Sequence, residues 1–165
     1  HYIDKKVDKS LLDEMLSAAN LAPSWKNSQT PRFYVATGEK SKNAVREALP
    51  EFNRKNSENA SAYIVTTVVL NRSGFDKDGT AVTEIGNGWG YYDLGLNNMA
   101  LLLKATELGI STLVMGIRDG EKLRKGFDIP ETEAVVSVIA VGYTDSEIVR
   151  PKRKSVEDFA KFYED

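Results

Sequence analysis

Trp89-Gly90-Tyr91-Tyr92-Asp93-Leu94-Gly95-Leu96 opens the stretch whose reading decides the fold. Across residues 89–108 the side chains of Tyr92, Leu94, Leu96, Met99, Leu101, Leu102, Leu103, Ala105 and Leu108 fall on nearly every side of a helix. A helix that is apolar all round has to be buried all round. In a chain of 165 residues that burial is easier if a second copy covers part of the helix. Gly109 stops it, and residues 111–115 read as a short strand ending at Gly116.

Working outward, residues 63–70 (Tyr-Ile-Val-Thr-Thr-Val-Val-Leu) and 134–142 are near-continuous β-branched runs, as strands covered on both faces require. Residues 32–37 alternate as a further strand, turned by Gly38. Asp8 stands as N-cap of a helix carrying Leu11, Leu12, Met15, Leu16 and Ala19, closed by Pro23. A polar helix is expected over about 41–49, and residues 50–60 read as loop or frayed helix. Residues 71–90, with five glycines, read as one long loop. Asp119 caps a short helix to about Lys125, and Ser155-Val156-Glu157-Asp158 has the form of a capping box. That box predicts a final amphipathic helix with Phe159 and Phe162 on its apolar side.

About four strands and five helices without strict βαβ alternation indicate an α+β fold. The expectation is a mixed, largely antiparallel sheet flanked by helices, in a single domain over 1–165, with the long buried helix central and at a dimer interface. The glycines at 86–90 lack the spacing and the preceding strand of a dinucleotide fingerprint.

Composition removes whole classes of chemistry. The chain has no cysteine, which excludes disulfides, thiolate nucleophiles and iron–sulfur ligation. Its one histidine is His1, which leaves no basis for a His-ligated metal or a Ser-His-Asp triad. Redox chemistry here would have to reside on an organic cofactor. A net charge of -2 gives no reason to expect nucleic acid or anionic membrane as a partner. No run of 18 apolar residues exists, and His-Tyr-Ile-Asp-Lys-Lys-Val lacks the apolar centre of a signal peptide, so the expected location is cytoplasmic.

Recognition chemistry is concentrated in Ala22-Pro23-Ser24-Trp25-Lys26-Asn27-Ser28-Gln29. The amides of Asn27 and Gln29 each present a paired donor and acceptor, which suits the edge of a planar heterocycle. The same residues also make a capped helix end followed by an Asx turn, which needs no ligand. Lys152, Arg153 and Lys154 form a basic run before a helix start, where a phosphate would be favoured, or else a solvated charge cluster. Met115-Gly116-Ile117 follows a strand end and by itself is only a turn. Asp93, Gly95 and Asn97 read as structural, and Trp25, Tyr91 and Tyr92 as core or interface aromatics.

The loop, the long helix and the basic tail, in that order, resemble the nitroreductase-like FMN-dependent oxidoreductases. The resemblance implies FMN bound at a homodimer interface, contacted by Pro23, Ser24, Asn27 and Gln29 largely from the partner subunit. It places Met115, Gly116 and Ile117 beside the isoalloxazine, with a Gly116 backbone N–H near flavin N5, and Arg153, with Lys152, at the phosphate. It assigns no catalytic side chain and no metal. It further implies a ping-pong cycle in which NAD(P)H delivers hydride and leaves, after which a small-molecule acceptor such as a nitroaromatic or quinone takes the electrons. A non-catalytic flavin or small-ligand binding protein on the same scaffold would need the same residues. Two features depart from the family pattern. Gln29-Thr30-Pro31-Arg32 stands where Gln-Pro-Trp is common, and the family's basic Arg-x-Ser-x-Arg element falls before the position of Tyr2, ahead of the first residue here.

Overall fold

The computed structural model describes residues 1–147 and 149–164. Helix α1 (Lys9–Asn20) leads through a single 3-10 turn at Trp25–Asn27 into strand β1 (Pro31–Ala36). Helices α2 (Glu39–Glu47) and α3 (Glu51–Asn56), strand β2 (Ala62–Val69) and the long helix α4 (Gly88–Glu107) follow. Strand β3 (Ser111–Met115), helix α5 (Gly120–Gly126), strand β4 (Glu133–Gly142) and the single-turn helix α6 (Val156–Phe159) complete the order.

The four strands form one sheet in the order β1-β2-β4-β3, and every pairing is antiparallel. The β-branched runs are central because both of their faces are covered. In β2, Ala62 and Ile64 point into a cluster with Leu12, Met15, Leu101 and Ala105 of α1 and α4. Tyr63 and Val65 point the other way, against Val45 of α2 and Leu123 of α5. The period-2 alternation of a strand thus splits a continuous apolar run between two cores. Gly90 lets α4 lie close to the sheet, since a Cβ there would sit 2.9 Å from Val68 Cγ2.

Several local expectations change in the folded chain. Asp8 occupies the N-cap of α1, but its side chain makes no capping bond, whereas Asp119 caps α5 by accepting from the Lys122 N–H at 3.1 Å. Of the loop or frayed helix expected over 50–60, residues 51–56 form a short helix, started by Pro50, whose fixed φ suits the position. The amphipathic helix expected after Ser155 is one turn only. Phe159 and Phe162 are 70% and 77% exposed, so packing among the described residues does not reward extending it. Helix α4 buries Gly90, Asp93, Leu94, Asn97, Leu101 and Ala105, while Tyr92, Met99 and Leu103 on its other side stay exposed. Among the described residues no helix is long and apolar enough to cross a membrane.

A polar cluster joins β1, β2 and β4. Buried Glu133 accepts from the Thr67 hydroxyl and, at 2.9 Å, from the Tyr34 phenol. Burial, and then the hydrogen bond to Glu133, pushes the Tyr34 phenol up to about 12.

Candidate functional site

The recognition loop is built on backbone that ordinary residues avoid. Lys26, Asn27 and Gln29 all have positive φ (46°, 54° and 48°), the left-handed region that costs non-glycine residues energy. Of the three, only Asn belongs to the residue types that tolerate this region well. The Gln29 N–H donates to Ser24 Oγ at 3.0 Å, and Arg32 donates to the Gln29 carbonyl at 2.7 Å, which fixes the loop's exit into β1. Ser24 is therefore engaged by the loop itself. Pro23, Asn27 and Gln29 are exposed, and the amides of Asn27 and Gln29 find no hydrogen-bond partner among the described residues.

Beneath the loop lies a residue that sequence reasoning took as merely structural. Asp93 of α4 is 2% exposed, and its carboxylate accepts the Trp25 N–H at 3.1 and 3.2 Å. It also accepts the Ser73 hydroxyl, which in turn receives the Ser28 hydroxyl at 3.2 Å. The available signal was an Asp inside a helix apolar on every face, where a buried carboxylate must find donors. Thr30 at the loop's end is fully buried, and its hydroxyl has no partner, as is also true of the Trp25 indole N–H.

Ser24, Gln29, Arg32, Phe33 and Asn97 border a cleft of about 190 Å³. That is below the roughly 300 Å³ at which small-molecule sites begin. A larger cleft of about 490 Å³ near Lys5 and Arg46 offers no comparable set of amides, and its Lys42 and Arg46 are paired with Glu39 at 2.5 and 3.4 Å.

The chain does not bring the other predicted residues to this loop. Met115, Gly116 and Ile117 lie at the end of β3, one edge of the sheet, while the loop enters β1, the opposite edge. Three strand spacings, about 14 Å, separate the two. Gly116 is exposed, and a Cβ added there would meet nothing within 4 Å. Lys152 and Arg153 lie in the exposed tail, where Arg153 donates to the Pro151 carbonyl at 3.1 Å. Met115 itself is 3% exposed and packs in the core with Tyr63 and Leu123, so of the three only Gly116 and Ile117 present surface at the end of β3.

Residues 1–143 match the Nitroreductase family. The chain belongs to that family. It is 27% identical over 153 residues to an Archaeoglobus fulgidus protein named "Putative NADH dehydrogenase/NAD(P)H nitroreductase", covering 88% of this chain and 79% of that one. A nitroreductase family protein from Streptococcus pneumoniae superposes with a TM-score of 0.83 at 22% identity, over 99% of this chain and 94% of that one. A structure described as an oxidoreductase containing FMN gives 0.75 at 26% identity, over 88% and 71%. This nitroreductase-family chain therefore has the α+β fold of its relatives and is an oxidoreductase by family.

Proposed function

We propose that this protein is an FMN-dependent oxidoreductase, working as a cytoplasmic homodimer that takes electrons from NAD(P)H and passes them to a small acceptor such as a nitroaromatic or quinone. The observation that carries the reading is the pair of unengaged amides at Asn27 and Gln29, exposed on a strained loop beside a cleft too small to hold a cofactor alone. Strain of this kind persists where surrounding structure enforces it, and it concentrates at binding sites.

The residues fit FMN once two chains are combined. Pro23, Ser24, Asn27 and Gln29 of one protomer would meet the ring edge. Gly116 and Ile117 of the other, following the buried Met115, would line its face, with the absent Cβ of Gly116 leaving its backbone N–H approachable. Arg153, supported by Lys152, would neutralise the phosphate. FMN supplies the hydride chemistry when bound. The protein's part is to bind, orient and exclude water. Dimerisation is supported by the exposed stripe of Tyr92, Met99 and Leu103 on α4. Gly95, between Tyr92 and Met99, has open space above it for close helix approach. A stripe at this 3,4,4 spacing buries well against a second copy, in an interface of about 2,000 Å² or more.

The test is the absorption spectrum of the purified protein, identification of the flavin it releases, and NAD(P)H oxidation with an artificial acceptor. FMN as the released flavin together with acceptor-dependent oxidation supports the reading. FAD alone, or no flavin binding on reconstitution, sinks it.

A further inference from the structure

We infer that the Asp93 carboxylate is the positioning residue of the recognition loop, holding residues 25–29 from below so that Asn27 and Gln29 face outward. The inference rests on the FMN reading for its functional consequence, but its structural half stands on the loop alone. Asp93 is buried on α4 and has no cation within ion-pair distance among the described residues. For stability alone a well-packed apolar residue would serve better there, since a buried carboxylate without a counter-ion is costly. What the carboxylate gains instead is a set of donors that all belong to, or lead to, one loop. The Trp25 N–H reaches both oxygens at 3.1 and 3.2 Å. The second arm runs from the Ser28 hydroxyl to Ser73 and from the Ser73 hydroxyl to Asp93. These two attachment points, Trp25 and Ser28, bracket Lys26 and Asn27, two of the three left-handed residues. The third, Gln29, follows directly and is clamped by Ser24.

The clamp as built uses a charged acceptor on both sides. Asn at position 93 would keep the shape but remove the charge, with its one oxygen left for the Trp25 N–H and its NH2 turned to Ser73, whose hydroxyl must reverse from donor to acceptor. Both arms then lose their charge assistance, and the loop can relax toward ordinary backbone angles. Asp93 touches no substrate in this scheme and acts only through the loop.

The experiment compares wild type, Asp93→Asn and Ser73→Ala as full-length protein, reading amide hydrogen exchange of the flavin-free form and FMN affinity by titration. In Asp93→Asn, exchange across residues 25–29 is expected to rise about 10-fold or more while the β2 and β4 amides keep their protection. FMN affinity is expected to fall by about 10-fold or more, the loss of a hydrogen bond to a charged group. Ser73→Ala, which spares the Trp25 arm, is expected to show the same pattern more weakly, and it decides the matter if Asp93→Asn does not fold. Unchanged loop exchange in the variant that folds overturns the inference, as does a rise spread evenly over the whole chain, which would make Asp93 a core residue only. A wild type that binds no FMN refutes the proposed function instead, and the exchange data still judge the clamp.

Discussion

The indole rings of Trp25 and Trp89 pack with centroids 4.7 Å apart and planes inclined at 46°. This contact joins the recognition loop to the first turn of α4. Trp89 also donates its indole N–H to Thr83 Oγ1 at 2.8 Å, so one residue anchors both the loop and the long connection before α4. Trp89→Ala should therefore cost about 2 to 4 kcal/mol, somewhat below a fully buried aromatic because the ring is only partly covered. Urea unfolding measures it, and a loss under about 1 kcal/mol would show that the two loops hold without this contact.

Asn27 has φ 54°, so replacing it by Ala would confuse loss of the amide with backbone strain. Asn27→Gly removes the amide and suits the left-handed backbone. The flavin-free protein should keep its melting temperature or gain slightly, while FMN binding weakens by about 1 to 3 kcal/mol. Lower stability with unchanged FMN binding would return Asn27 to the role of a simple turn residue.

At Gly116 the folded chain leaves open space, so nothing in the protomer demands glycine. Gly116→Val is expected to alter stability by no more than about 0.5 kcal/mol. FMN affinity or acceptor turnover should nonetheless fall sharply, because the added side chain blocks approach to the backbone. If both stay at wild-type values, Gly116 does not border the flavin.

Arg153 is exposed and, among the described residues, bonded only to the carbonyl of Pro151 within its own tail. Arg153→Ala should leave urea unfolding unchanged and weaken FMN binding by roughly 10-fold to 150-fold, the range of a charge-assisted phosphate contact. Equal dissociation constants for variant and wild type would place this cation on the solvated surface.

Alkaline pH should weaken the fold through the half-buried Tyr34 phenol and the buried Tyr2 phenol. Tyr34 is raised from 10.0 to about 12 by burial and by its bond to Glu133, and burial raises Tyr2 in the same direction. The neutral phenol is the form the fold favours, so its stabilisation is full below pH 10 and is lost as the pH climbs from 10 towards 12. Urea midpoints measured across this window should fall, and Tyr34→Phe should make the fall shallower. An identical slope in that variant would remove Tyr34 from the transition.

The two-sided burial of β2 and β4 was legible from residues 63–70 and 134–142, and the α+β class from the order of strands and helices. β-branched runs without polar alternation have few other solutions. The chemistry of the loop was legible too, because amides, a Pro break and a helix end are local features. Arrangement in space was not. That Gly116 lies on the sheet edge opposite the loop follows from the strand order β1-β2-β4-β3, which is set by packing between distant segments. The role of Asp93 also depends on a bond across 68 residues of sequence to the Trp25 N–H. The expected all-round burial of α4 was half met, since one chain covers only the face that meets the sheet and α1. Local residue chemistry determined which elements and donors exist. Only the tertiary structure decided which of them meet, because those contacts join segments whose separation along the chain carries no local signal.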